Sequence, residues 1–114
     1  GAFRNSGITS IPTGLFDYCT AVTNFYECFA MCSSLTSIPT GLFDYCTAVT
    51  TFGVCFAQCT SLTGSSGQLW LNPSGASNYD LVSPTYDSGT PTGQGCYNNC
   101  TGLSDYSSIP NYWK

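Results

Sequence analysis

TSIPTGLFDYCTAVTNFYECFAMCSSL, residues 9–35, is followed without a gap by TSIPTGLFDYCTAVTTFGVCFAQCTSL, residues 36–62. The offset is 27 (36 − 9), so Ile11 recurs as Ile38, Phe16 as Phe43, Cys19 as Cys46, Val22 as Val49, Cys28 as Cys55, Phe29 as Phe56 and Cys32 as Cys59. Self-similarity at a fixed period in the range of roughly 20–50 residues marks units that must stack to bury a common core. The sequence therefore predicts a repeat solenoid with one coil for each of these units.

Each unit holds a smaller echo. LFDYCTAVTNF (15–25) and CFAMCSSLTSI (28–38) share the pattern x-F-x-x-C-x-x-[LV]-T-x-[FI]. A Phe–Cys interval of three suits one tight turn with both side chains facing inward. The Val-Thr-Asn-Phe and Leu-Thr-Ser-Ile pieces are Thr-rich and read as short extended segments. Pro12 and Pro39 have no N–H to give a ladder and end those segments, and Gly14 and Gly41 allow the turn that follows. The expected coil has short β-strands joined by short helical or 3-10 corners, with equivalent residues in columns about 4.8 Å apart.

Working outward, residues 2–8 (AFRNSGI) read as a worn copy of CFAMCSSL, so the chain starts part-way round a coil and upstream sequence is expected. Leu69-Trp70 follows Leu42-Phe43 at the same offset of 27 (69 − 42). The irregular stretch 71–95, rich in Pro, Gly, Ser and Thr, then interrupts the pattern, which resumes at CYNNCTGL (96–103). Leu62 and Leu103 stand 41 apart (103 − 62), which is an insertion of 14 over the period (41 − 27). Insertions into repeats map to loops on one face, often the binding face. Ile109-Pro110 echoes Ile38-Pro39, and Tyr112-Trp113 then replaces Leu-Phe, which suits a C-terminal cap over 104–114. The reading is a single domain, 1–114, of about four coils, forming the C-terminal part of a longer protein.

Charge is scarce: 7% of residues, no His, and only Arg4 and Lys114 as basic groups. No basic patch can form to neutralise phosphates or dock on an anionic membrane, so nucleic acid and membrane surfaces are not expected partners. No apolar run approaches the roughly 20 residues of a membrane helix. The surface is left to Ser, Thr, Asn, Gly and Tyr, which suit neutral, hydrogen-bonding partners.

The kernel F-x-x-C-x-x-[LV]-T-x-[FI], at Phe16–Phe25, Phe29–Ile38 and Phe43–Phe52 and again from Phe56, resembles the BspA-like leucine-rich repeat family of bacterial surface proteins. It is also similar to Cys-containing repeats of gut-bacterial and phage tail or adhesion proteins. The resemblance implies a right-handed leucine-rich-repeat solenoid, exposure on a cell surface or virion, adhesion or protein contact, and no catalytic residues or cofactor. This chain departs from the family in its Cys density and in the 71–95 insertion.

The eight cysteines fall in the columns 19/46, 28/55/96 and 32/59/100. Three readings stand: buried free thiols acting as small hydrophobes, disulfides between stacked columns, or a zinc set of Cys28, Cys32, Cys55 and Cys59 whose C-x₃-C spacing is unusual. Asn99-Cys100-Thr101 matches the glycosylation pattern but lies inside a Cys column and reads as structural. Asp17 and Asp44 occupy the same repeat position and read as turn residues rather than a catalytic pair.

With no His and scattered carboxylates, no enzyme can be assembled. The two copies differ at Asn24/Thr51, Tyr26/Gly53, Glu27/Val54, Met31/Gln58 and Ser33/Thr60. These positions are expected to point outward. The candidate partner-binding set is Asn24, Tyr26, Glu27, Met31, Thr51 and Gln58, with Tyr79 and Tyr86 from the insertion, since Tyr among Ser, Gly and Asn makes an adaptable contact surface. The expected function is a non-enzymatic, surface-exposed recognition module for a protein or neutral glycan, with no cofactor or metal. The alternative is a structural spacer in a larger surface or tail protein. The oligomeric state is left open.

Overall fold

The spacing of three inside F-x-x-C-x-x-[LV] closes a chain of one-turn hydrogen bonds. Cys19 N–H donates to the Phe16 carbonyl at 3.0 Å and Val22 N–H to Cys19 at 3.4 Å. The same pair recurs at Cys32→Phe29 and Leu35→Cys32, at Cys46→Phe43 and Val49→Cys46, at Cys59→Phe56 and Leu62→Cys59, and at Cys100→Tyr97 and Leu103→Cys100. Each i→i+3 bond turns the chain and consumes an N–H that a strand would have used.

That corrects the expected strand-based leucine-rich-repeat solenoid. The computed structural model describes residues 1–76 and 94–114. Among these there is no strand or sheet, only two isolated parallel bridges, Asn24↔Thr51 and Gly64↔Leu103. Helix is confined to three short 3-10 segments, Leu69–Leu71, Tyr106–Ser108 and Asn111–Trp113, so the expected helical corners of the repeat are hydrogen-bonded turns instead. The Thr-rich pieces are too short between turns to pair over several residues. The result is a compact globule with a radius of gyration of 12.7 Å, against about 13 Å for a packed domain of this length.

Within that globule the repeated turns lie over one another. Glu27, Phe29 and Met31 donate N–H bonds to the carbonyls of Gly53, Cys55 and Ala57, and Val54, Phe56 and Gln58 donate to Gln94, Cys96 and Asn98. Phe3 and Asn5 stand over Cys28 and Ala30 in the same way. Between the Thr-rich pieces Thr36 donates its N–H to Thr9, Thr50 to Thr23 and Thr63 to Thr36, in the opposite sense, while Phe25 donates to Thr51 in the same sense as the corners. Equivalent rings stack face to face between layers: Phe3 on Phe29 at 5.2 Å, Phe29 on Phe56 at 5.3 Å, Phe16 on Phe43 and Phe25 on Phe52 both at 5.5 Å. The rings follow the spacing of the layers that these backbone hydrogen bonds join.

The edge-on contact between Phe43 and Phe56, at 6.3 Å, reappears between Trp70 and Tyr97 at 6.2 Å. The first pair stands 13 apart in the chain (56 − 43) and the second 27 apart (97 − 70), so the repeat geometry closes over the insertion. Tyr97 also donates its hydroxyl to the Ser66 carbonyl at 2.8 Å, and Asp105 accepts from the Ser66 hydroxyl at 2.7 Å, locking this last layer. The chain end covers it: Gly95 and Tyr97 donate N–H bonds to Tyr112 and Trp113, and Trp113 and Ile109 are buried.

All eight cysteines are unbonded thiols, seven of them buried. One column forms a hydrogen-bonded series. Cys32, Cys59 and Cys100 each donate a thiol proton at 3.0 Å to the carbonyl of Phe3, Phe29 and Phe56, one layer earlier. A small apolar group with one weak donor suits a closely stacked corner whose carbonyls face the next layer.

Candidate functional site

The corner that turns through residues 26–31 and 53–58 carries four of the eight candidate residues, Tyr26, Glu27, Met31 and Gln58. Two positions on each turn hold left-handed backbone: Glu27 (φ 57°) and Met31 (φ 62°) in one layer, Val54 (φ 45°) and Gln58 (φ 63°) in the next. The flanking layers place residues better suited to that conformation at the same positions, Asn5 (φ 56°) before, Gly95 (φ 64°) and Asn99 (φ 62°) after. Glycine adopts this region freely and Asn tolerates it, whereas other residues are strained by about 1–3 kcal/mol. The two middle layers thus keep larger side chains at positions where the fold favours Gly or Asn.

Those side chains reach solvent. Tyr26 is 39% exposed and Met31 43% exposed. Glu27 is half-buried and lies 3.4 Å from Arg4 Nε, an exposed pair worth little to stability. Gln58 is half-buried and bridges the next layer: its Nε2 donates to Asn98 Oδ1 at 2.8 Å, and its Oε1 accepts from Asn99 Nδ2 at 3.1 Å. This contact uses the amide of Asn99, which is itself exposed. Beside it lies a cleft of about 500 Å³ lined by Val54, Gln94, Gly95, Asn98, Asn111 and Lys114, among others. Its Asn and Gln amides offer both donors and acceptors to a neutral ligand.

Asn24 and Thr51 do different work. Asn24 is exposed, and its Oδ1 accepts the Tyr26 N–H at 2.7 Å. Thr51 is buried, and its Oγ1 accepts the Gly53 N–H at 3.0 Å. The expectation that every varying position points outward fails at Thr51. Asn and Thr exchange there because either side chain can bond the backbone two residues on. Tyr79 and Tyr86 lie outside the described residues.

Comparing the copies also misses a pair. Tyr18 and Tyr45 are identical in the two copies, yet they are 96% and 58% exposed. Identity between copies reads as structural, but neither ring can be held by the core. A Tyr standing between the core-facing Phe and Cys of each copy was the available signal. Beside them, Asp17 and Asp44 fold back over Gly14 and Gly41. A Cβ on either glycine would stand 3.2 Å and 3.0 Å from the respective carboxylate, and both glycines have positive φ.

Six of the thiols are held protonated at neutral pH. Burial pushes Cys28 and Cys46 up to about 11, and Cys59 and Cys100 up to about 12. It raises Cys55 and Cys96 well above the ordinary thiol value. A buried thiol held protonated packs and donates; it does not attack. Among the described residues, no three Cys, Asp or Glu side chains gather as a metal-ligand set, the Cys28, Cys32, Cys55 and Cys59 group included.

No helix among the described residues is long and apolar enough to cross a membrane. No protein-family model matches the chain, and no curated protein matches it.

Proposed function

We propose that this chain is a non-catalytic recognition module, displayed on a cell surface or virion, that holds a neutral protein or glycan partner against the corner face of Tyr26, Glu27, Met31 and Gln58. The observation that supports this reading is the backbone one. Glu27, Met31, Val54 and Gln58 occupy left-handed positions that the neighbouring layers fill with Asn or Gly. Strain retained where a cheaper residue would serve points to a role for the side chain. Tyr26 and Met31 add exposed, adaptable contact area. The Asn98, Asn99 and Asn111 amides add neutral hydrogen bonding at the adjoining layer.

The test uses the chain's own alternatives. Glu27→Gly with Met31→Asn restores backbone-compatible residues and removes the exposed side chains. The double variant should unfold at higher denaturant, by about 1–2 kcal/mol. It should also lose roughly tenfold or more in binding to whichever member of a panel of whole bacterial cells, neutral glycans and matrix proteins the parent chain captures. Unchanged capture by a stabilised variant would sink the proposal. A folded parent that captures nothing would favour the spacer reading.

A further inference from the structure

The third layer breaks the repeat just before Leu69. At the offset of 27, Ser65, Ser66 and Gln68 stand where the second layer has Ile38, Pro39 and Gly41. Two bulky apolar residues are exchanged for hydroxyls, and a glycine for a long amide. In place of that bulk is a hollow of about 270 Å³ between the two layers, lined by Ile38, Pro39, Asp44, Ser65, Gly67 and Gln68, among others.

Its walls are held from both sides. Thr63 N–H donates to the Thr36 carbonyl at 2.9 Å, tying the third layer to the second. From the far side Ser104 N–H donates to the Gly64 carbonyl at 2.8 Å. The Asp105 carboxylate accepts from the Ser66 N–H at 3.1 Å and from its hydroxyl at 2.7 Å. Within the turn the hydroxyls of Ser65 and Ser66 accept the N–H groups of Gly67 and Gln68 at 3.1 Å and 3.0 Å. A site fixed in this way loses little entropy on binding.

Gln68 supplies a second, independent observation. Its φ is 52°, in the left-handed region, where Gly41 has 72° and Gly14 has 79°. Glycine adopts that backbone freely, and glutamine is strained by it. The Gln68 side chain makes no capping hydrogen bond to the 3-10 segment Leu69–Leu71 that follows. The fold gains nothing from the amide there, and the amide lines the hollow beside Asp44 and Ser65.

We propose that this hollow binds one neutral sugar ring. A sugar carries neighbouring hydroxyls on its edge and C–H groups on its faces. The Asp44 carboxylate accepts from two such hydroxyls, the Gln68 amide both donates and accepts, and the Ser65 hydroxyl donates its proton. Ile38 and Pro39 offer the apolar surface for a C–H face. No basic side chain lines the hollow to match an anion. Its volume falls just under the roughly 300–1,000 Å³ of pockets that enclose drug-sized ligands, which suits a single ring. The hollow shares no residue with the corner of Tyr26, Glu27, Met31 and Gln58, so the two proposals stand or fall separately.

Saturation-transfer-difference NMR on the whole 114-residue chain tests this, with the methyl glycosides of glucose, galactose, mannose and N-acetylglucosamine as probes. At least one of them should receive saturation, with a dissociation constant in the millimolar range. Gln68→Gly restores the residue of the other two layers. It should weaken that binding roughly tenfold or more and leave the fold intact by near-ultraviolet circular dichroism. Ser65→Ile, which refills the hollow, should abolish it. Asp17→Asn changes the same repeat position one layer away from Asp44 and should leave binding unchanged. The proposal is overturned if none of the four glycosides binds the folded chain, or if binding survives Gln68→Gly or is lost with Asp17→Asn. It is also overturned if methylammonium displaces the bound glycoside, since Asp44 would then be holding a cation.

Discussion

The octapeptide LFDYCTAV occurs twice, at 15–22 and 42–49, and its two copies meet different surroundings. In the second copy Leu42 is 3% exposed and Cys46 and Val49 are buried under the preceding layer. In the first, Leu15 is 38% exposed, and Phe16, Cys19 and Val22 only rest against the core. Local sequence, and with it intrinsic propensity, is identical. Whatever differs in stability or reactivity between the copies is due to stacking. That makes the pair an internal control for how a charge-poor chain, with no strand or long helix among its described residues, is held together: by turns that present rings and thiols to the next turn.

The largest separation should come from the rings. Phe43→Ala removes a buried ring that touches Phe16, Phe25, Phe52 and Phe56, and should cost about 3–5 kcal/mol in urea unfolding. Phe16→Ala, in the first copy where the ring is only partly buried, should cost about 1–2 kcal/mol. Equal costs would mean that the first copy is as enclosed as the second.

A smaller contrast lies in the thiols. Cys59→Ala deletes a buried donor to the Phe29 carbonyl and should cost about 1–2 kcal/mol. Cys19→Ala, with a half-buried thiol, should fall within about 0.5 kcal/mol of the parent. The thiols also set an alkaline limit. In the unfolded chain they ionise near 9, while in the folded chain burial holds Cys28 and Cys46 to about 11 and Cys59 and Cys100 to about 12. A raised folded value favours the folded state while the thiols stay protonated. The unfolded chain gains charge first as pH rises, so this contribution is whole below about pH 8 and is lost progressively above about pH 9. Denaturant midpoints measured across that range should fall on the alkaline side, and less steeply in Cys59→Ala.

The period and the columns were legible because Phe, Cys and Leu recur at fixed positions, and recurrence needs no knowledge of the local conformation. The conformation was not legible. Val-Thr-Asn-Phe and Leu-Thr-Ser-Ile carry β-prone residues, but the i→i+3 bonds at Cys19, Val22, Cys28 and Leu35 turn the chain before a ladder can extend. Propensity gave way to the spacing of three. At the candidate site, comparing the copies found the corner at 27/54 and 31/58. It could not tell Thr51, which varies because two side chains make one bond, from Glu27, which varies and projects. Nor could it see that Tyr18 and Tyr45 are constant and exposed, because constancy carries no information about direction.

The most direct measurement is the native alkylation rate of Cys19 against Cys46, read by mass spectrometry on peptides that differ at Asn24 and Thr51. Both thiols sit in the same octapeptide, so their intrinsic reactivities match. Stacked layers require Cys19 to be modified well before Cys46, which should react only as the molecule unfolds. Equal native rates would show that the second copy is not covered by the first, and the layered account would be wrong.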